Sequence, residues 1–245
     1  MKKTALSTIV LCALSSHAIA EETKPFTMDG EFGLIVTTGN TETTSVKGKL
    51  SAHQELDNWS NDFIFDAIYQ RNQVTENDEE IEKTTAQKYF LSGQGNYKLE
   101  NPDHRIFIFG SYEDDRFNSY DYQSTVAAGW NQKVWKDETS SFEYSIGPGY
   151  SYAKFNDGTK ANGLIVRAAL DYQLKISDTS TFKQLLNTEI GDDNTKTVSE
   201  TSLSAKISGN LSMKFAVSMT HNSDVVGNDE NLDTVTSATV VYTFF

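Results

Sequence analysis

The sequence predicts an all-β protein: an antiparallel up-and-down transmembrane β-barrel of about twelve strands. Three observations carry that expectation. Apolar and polar residues alternate with period two almost from end to end, which places one residue class on each face of a sheet. The alternating segments are about twice the ~5–6 residues of a typical soluble strand, and a tilted strand crossing a bilayer needs ~9–11. The chain also opens with an export leader.

In that leader, Met1-Lys2-Lys3 is a basic n-region, residues 5–14 are apolar, and Ala18-Ile19-Ala20 is an A-x-A cleavage site before Glu21. Ten or so apolar residues are too few to span ~30 Å of hydrocarbon as a helix. The expected organisation is a cleaved signal peptide over 1–20, a short periplasmic segment over 21–28 and a barrel over 29–245 in the cell outer membrane. Cleavage leaves 225 residues carrying 19 Lys+Arg against 34 Asp+Glu, a net charge of −15. So acidic a chain lacks the clustered cations a nucleic-acid partner requires. Its one cysteine, Cys12, lies in the leader, which removes disulfides, thiolate catalysis and cysteine zinc sites. Mean hydropathy is −0.47, and no apolar run of ~18 residues outside the leader suggests a membrane helix.

Taken in order, strands one and two are expected at 29–38 and 43–55 on either side of Gly39-Asn40-Thr41-Glu42. Strand three, 62–73, follows the compact Asp57-Asn58-Trp59-Ser60 and sets Phe63, Phe65, Ala67 and Tyr69 against Asp62, Ile64, Asp66 and Ile68. Residues 74–83 read as a longer acidic loop before strand four, 84–99. Asn101-Pro102-Asp103-His104 then turns into strand five, 105–115, and strand six follows at 120–135. Beyond Lys136-Asp137-Glu138-Thr139, strand seven, 140–154, alternates Phe142, Tyr144, Ile146, Pro148, Tyr150 and Tyr152 with Glu143, Ser145, Gly147, Gly149 and Ser151. Strand eight, 161–177, alternates from Leu164 to Ile176, and Asp178-Thr179-Ser180 leads into strand nine, 181–191. Strand ten, 197–208, and strand eleven, 211–223, flank Gly209-Asn210; strand eleven is apolar at every odd position from Leu211 to Met219. A second acidic loop, 224–231, precedes strand twelve, 232–244.

The same alternation suits a soluble barrel with an apolar interior, so other features decide its direction. Compact turns follow the even-numbered strands and the two long loops follow odd-numbered ones, as when both termini are periplasmic. Trp59 and Trp135 fall beside turns, while Tyr112, Phe117, Tyr120 and Tyr122 gather near a loop, the two interfacial belts that amphipathic rings favour. The final strand ends in aromatics, Tyr242, Phe244 and an extra Phe245, resembling a sorting signal for the outer-membrane assembly machinery. The polar face carries Lys47, Lys49, Lys88, Lys98, Lys133, Arg167, Lys175, Lys183, Lys206 and Lys214 against Asp62, Asp66, Glu143, Asp171, Glu189 and Glu200. These residues are expected to line a lumen with a net excess of cations. One hairpin register sets Lys49 opposite Asp66 and His53 opposite Asp62.

Gly39-Asn40-Thr41-Glu42, Tyr112-Glu113-Asp114-Asp115-Arg116-Phe117 and Gly147-Pro148-Gly149-Tyr150, in that order and spacing, resemble the salt-induced outer-membrane protein family. This is a domain of unknown function (481) with YdiY-like members, and the resemblance runs from about residue 30 to 244. It implies an outer-membrane barrel and brings no activity, substrate or catalytic residue. Pro148 and the doubled terminal phenylalanine depart from the family's pattern; Pro148 suits a bulge or an end of strand pairing.

Motifs for chemistry are sparse. His53, His104 and His221 are too scattered for one metal site; His221 with Ser223 or Thr220 is the hydrolase alternative. Asp229-Glu230-Asn231-Leu232-Asp233 opens like a calcium loop but has Thr234 in place of glycine and Val240 in place of the closing glutamate. Glu76, Asp78, Glu79 and Asp229 are weak cation candidates beside lipopolysaccharide phosphates, and charge runs are usually just solvated. The expected function is a non-enzymatic, cofactor-free barrel in envelope integrity or osmotic adaptation, in contact with outer-membrane lipid, lipopolysaccharide and the barrel assembly machinery. The alternatives are a narrow channel for small solutes or ions, and a soluble ligand-binding barrel.

Overall fold

A computed structural model describes residues 25–37, 43–76, 79–115, 120–155, 157–225 and 231–245. Its strands are β1 (Phe26–Thr37), β2 (Thr43–Glu55), β3 (Trp59–Glu76), β4 (Glu79–Lys98), β5 (His104–Asp115) and β6 (Tyr120–Lys136). They continue as β7 (Ser140–Phe155), β8 (Lys160–Ser177), β9 (Ser180–Gly191), β10 (Thr195–Ser208), β11 (Leu211–Asn222) and β12 (Leu232–Thr243). Each strand pairs with the next, and β12 returns to β1, so the twelve close into one antiparallel up-and-down barrel. The expected leader, residues 38–42 and Phe117 lie outside the described residues.

Boundaries shift most at β1, at the start of β3, which takes in Trp59 and Ser60 of the expected turn, and in the β3–β4 hairpin. β1 starts at Phe26, so the N-terminal segment expected over 21–28 is shorter. Residues 74–83, expected as an acidic loop, mostly extend β3 and β4, which stay in register to Glu76 opposite Glu79. Backbone pairing satisfies N–H and C=O groups whatever the charge on the side chains, so a polar hairpin prolongs the ladder beyond the apolar belt.

Phe32, Phe65, Leu91, Ile108, Val166 and Phe215 point outward and stay exposed, Phe215 at 53%. Their chain neighbours Glu31, Asp66, Arg167 and Lys214 point inward into ion pairs or the lumen wall. The apolar face is therefore the outside of the barrel, where lipid and not water is its favourable neighbour. Aromatic pairs mark both rims of this belt. Trp59–Tyr97, Trp135–Phe142 and His104–Trp130 lie at the turn end, and Tyr112–Tyr122 and Tyr150–Tyr152 at the loop end. Tyr120, expected in the outer belt, is a correction. The β6–β7 register shifts between Tyr120 and Tyr122, which turns Tyr120 inward to stack on Phe155 at 4.4 Å and donate its hydroxyl to the Asp224 carbonyl.

The seam sets Asp29–Phe32 of β1 against Val240–Thr243 of β12, and the Phe244 N–H extends it by donating to the Met28 carbonyl at 2.8 Å. On the outer face the Phe244 ring covers Gly30, where a Cβ would sit 2.9 Å from the ring. Gly209 takes φ +53° in the β10–β11 turn, a left-handed conformation that glycine adopts without steric cost. Pro148 sits where the β6–β7 ladder is interrupted, between the Ala127–Gly149 and Trp130–Ile146 pairs, and stays paired with Val166 of β8 on its other side. At the same place the strands close in. A Cβ on Gly147 would lie 2.2 Å from the Ala128 carbonyl oxygen, and one on Gly129 2.3 Å from that of Ile146.

Gly147→Ala is accordingly expected to destabilise the barrel by roughly 1–3 kcal/mol, read as a lower urea midpoint in lipid. Gly110→Ala, with nothing within 4 Å of the new Cβ, should be near neutral. At the β6–β7 turn, Asp137 accepts the Thr139 and Ser140 backbone N–H groups, both at 2.8 Å, and both hydroxyls. Led by the Thr139 N–H, these donors hold its carboxyl at about 2, below the ordinary 3.8. Its contribution to the turn is present above the unfolded value and is lost as pH falls through the folded one. A carboxyl NMR titration should place the midpoint near 2, and Asp137→Asn should remove that step.

Candidate functional site

Closing twelve strands gathers the polar face into a narrow lumen, where partly desolvated inward charges pair with one another. The strongest contacts run across it. Lys196 on β10 donates to Glu113 on β5 at 2.8 Å and to Gln123 on β6 at 2.5 Å, a strut reaching almost to the opposite wall. Glu113 also holds Lys88 on β4 at 3.1 Å, and Lys88 reaches Asp115 at 3.6 Å. A second network joins four strands near the seam. Lys214 on β11 donates to Glu200 on β10 and to Glu31 on β1, both at 2.9 Å, while Lys49 on β2 lies 3.6 Å from Glu200.

One level of the barrel is packed with side chains. Gly129 lies opposite Phe107 and Gly147 opposite Arg167, so two positions between these large residues carry no side chain. The Phe107 ring fills that space with 0% exposure, and the Arg167 guanidinium stacks 3.7 Å from the centre of the Phe109 ring. Arg167 Nη1 donates to Gln94 on β4 at 3.4 Å and to Ser145 at 3.3 Å. Asn96, Asn131 and Arg105 are buried next to this level, and Asn96 donates to the Ser60 carbonyl.

On the loop side of this layer is a cavity of about 770 Å³. Its wall includes Lys47, Lys49, Asp66, Lys88, Glu113 and Lys196 among charged residues, and Ile64, Phe90, Phe109, Ile165 and Leu185 among apolar ones. Towards the mouth stand Asp192, Asp193, Asn194 and Asp233. No residue of the packed Phe107–Arg167 layer lines it. The cavity is a cup, open towards the loops and floored at mid-barrel.

The lumen residues named from the sequence separate by depth. Lys47, Lys49, Asp66 and Lys88 line the cup; Lys214 belongs to the seam network and Arg167 to the floor. In the turn-end half, Asp62 accepts from His53 at 2.7 Å, and Glu143 accepts from Asn131 at 2.9 Å and lies 3.8 Å from Arg105. There too Asp171 pairs with Lys183 at 2.9 Å, and Lys175 is exposed opposite Thr181. Lys49 stands opposite Asp66 and His53 opposite Asp62, the register read from the sequence. The Asp66 ion pair, however, goes to Lys47 at 3.9 Å, because Lys49 turns to Glu200.

Sequence reasoning missed two inward cations, Arg105 and Lys196, and six inward acids, Asp29, Glu31, Glu55, Glu113, Asp115 and Asp233. With them the expected excess of lumen cations vanishes. Strand parity was available as a signal for Glu31 and Glu113; Lys196 fell outside strand ten because that strand was begun at residue 197. His221 is exposed on the outer face while Thr220 lines the cup, and Ser223 Oγ donates to Asn194 and accepts the Thr195 N–H. Neither hydroxyl has a hydrogen bond to His221 among the described residues. Glu76 and Glu79 are Cα partners at the loop end, and Asp78 and Asp229 lie outside the described residues. Among the described residues no three His, Cys, Asp or Glu side chains group as metal ligands.

Glu113 serves both Lys88 and Lys196 while only 8% exposed. Glu113→Ala would leave Lys196 without a carboxylate and Lys88 with Asp115 alone, and a loss of about 3–5 kcal/mol is expected, measured as the shift in urea unfolding of the lipid-embedded barrel.

Three solved structures give the architectural comparison. An outer-membrane channel from Pseudomonas putida F1 is 10% identical, with 89% of this chain and 94% of that chain covered and a TM-score of 0.49. The NanC porin is 11% identical, with 88% and 97% covered and a TM-score of 0.44. The KdgM porin, solved with disordered oligogalacturonate, is 14% identical, with 89% and 99% covered and a TM-score of 0.41. No curated protein matches the chain. Residues 30–244 match the family described as protein of unknown function, DUF481, and the chain belongs to that family.

Proposed function

We propose that this protein is a non-enzymatic outer-membrane barrel that keeps its lumen closed and contributes to envelope integrity or osmotic adaptation. The observation that carries this reading is the mid-barrel layer of Phe107 and Arg167, spread over Gly129 and Gly147, which floors the cup. Side chains packed across the lumen at this level would stop solutes from passing through a twelve-stranded barrel. The outward apolar belt between two aromatic rims supports residence in lipid, with lipopolysaccharide against the loop-end rim. Under this reading the leader is removed after Ala20, the short turns face the periplasm, and the C-terminal aromatics are read by the assembly machinery.

A narrow channel is the second reading, favoured by the 770 Å³ cavity that already occupies the loop-end half. Because inward acids balance the inward cations, that channel would not select strongly for anions. The salt-induced label of the resembled family supports a role under osmotic load.

Planar bilayers separate the two. Purified wild-type protein is expected to give no discrete conductance steps, and the double variant Phe107→Ala/Arg167→Ala, which empties the floor, is expected to conduct. Wild-type steps whose size changes in Lys49→Glu would sink the closed-lumen reading. In cells, loss of the protein should raise sensitivity to detergent or osmotic upshift, with recovery on re-expression.

A further inference from the structure

The seam between the first and last strands is paired over only part of its length. On its other side β1 pairs with β2 from Phe26 to Thr37, and β12 pairs with β11 from Leu232 to Tyr242. Between β1 and β12 the ladder runs from Asp29 opposite Thr243 to Phe32 opposite Val240 and stops there. The strands still touch one step further, where a Cβ on Gly33 would meet the Thr239 side chain at 2.8 Å. Phe244 donates its N–H to Met28 of β1, and Thr243 donates its own to Asn210 on the β11 side. Even-numbered residues of β12 therefore turn their backbone groups towards β1. Among the described residues, the N–H and C=O groups of Thr234, Thr236 and Ala238 meet no partner strand on that side.

This opening lies within the lipid-facing belt. The β11 residues opposite Thr234 and Ala238 are Met219 and Phe215, both exposed on the outer face, and on its turn side stand the exposed Phe32 and Val240. Hydrocarbon cannot satisfy an unpaired backbone group, so the edge calls for a polar partner. The outer face of β12 is itself small or polar here, with Thr234, Thr236 and Ala238 beside Met219, Val217 and Phe215. The opening also leads inward. Consecutive residues 233–239 line the cup together with Gly33, so the cavity reaches both faces of β12 and passes round its edge. On the flanking strands the lysines are committed to acids, Lys47 to Asp66, Lys49 to Glu200, and Lys214 to Glu200 and Glu31. The passage between them is lined by hydroxyls, those of Thr234, Thr236, Ser237 and Ser218.

We propose that the seam beyond Gly33 is a lateral portal through which the uncharged, hydroxyl-bearing head of a membrane amphiphile enters the cup while its alkyl chain stays in the lipid. The head supplies the hydrogen bonds that the edge lacks, and the chain keeps the belt as its solvent. The portal lies on the loop side of the floor, so it opens no path across the barrel.

Decyl maltoside, added below its micellar concentration to the isotope-labelled barrel in lipid nanodiscs, is the probe. Backbone amide NMR should show saturable shifts at Thr234, Thr236 and Ala238, and none at Tyr242 or at Ile108 on β5. Maltose, the head without the chain, should bind at least about tenfold more weakly, because the chain concentrates the head at the portal. Decyl sulfate, the same chain with an anionic head, should give no saturable shift at these amides. Before any addition, the three amides should exchange with water faster than that of Tyr242. Ser237→Trp, which fills the passage from inside, should lose the maltoside response; the wild-type measurements stand without it. Slow exchange at the three amides would mean that β1 or a second copy already pairs the edge, and overturns the proposal. So does an equal response to decyl sulfate, or no saturable response to decyl maltoside. Conductance by the wild type would remove the closed-lumen reading and leave these amide shifts unchanged.

Discussion

Closure is the constraint from which the rest follows. Hydrocarbon offers no partner to a backbone N–H or C=O, so a β-ribbon is stable in a membrane only when its two edges meet. Here they meet over four residues on each strand, Asp29–Phe32 against Val240–Thr243. The seam is reinforced from both faces: Phe244 covers Gly30 outside, and inside Thr243 donates to Asp29 while Lys214 reaches over β12 to Glu31. Once the edges are joined, residue parity has a physical direction. Phe215 faces lipid and Lys214 faces the lumen, and neither can exchange without turning the whole strand.

The lumen then inherits a problem that a flat sheet does not have. Charges that would be solvated on an open face are forced together inside the barrel. The solution differs by depth. Towards the loops, Lys196 and Glu113 span a cavity and leave room around them. At mid-barrel, glycine on two neighbouring strands lets Phe107 and Arg167 lie across the opening. Near the turns, His53, Asp62, Asp171 and Lys183 pair with neighbours while remaining partly exposed. The lysines above the floor pair with acids, whereas the guanidinium at the floor rests on the Phe109 ring.

The expectations that failed share a cause. Tyr120 was placed in the outer belt by counting along the strand, and a register shift of β6 against β7 reversed it. The cation excess came from omitting Arg105 and Lys196 at strand ends, and Glu31 and Glu113, which strand parity marks as inward. Of the two hydroxyls considered beside His221, Thr220 faces the other side of the wall, and Ser223 is engaged with Asn194 and Thr195.

What the chain reveals by itself is whatever depends on near neighbours: the twelve segments, the compact turns between them, the in–out alternation and the β2–β3 register that opposes Lys49 to Asp66. Each follows from period-two geometry and a short loop, both local. What only the closed structure decided is which inward group meets which. Lys49 left its cross-strand neighbour for Glu200, and Arg167 came to rest on Phe109, three strands away. Such pairings depend on the width of the lumen and the empty space above Gly129 and Gly147. Both exist only after the first strand has hydrogen-bonded to the last.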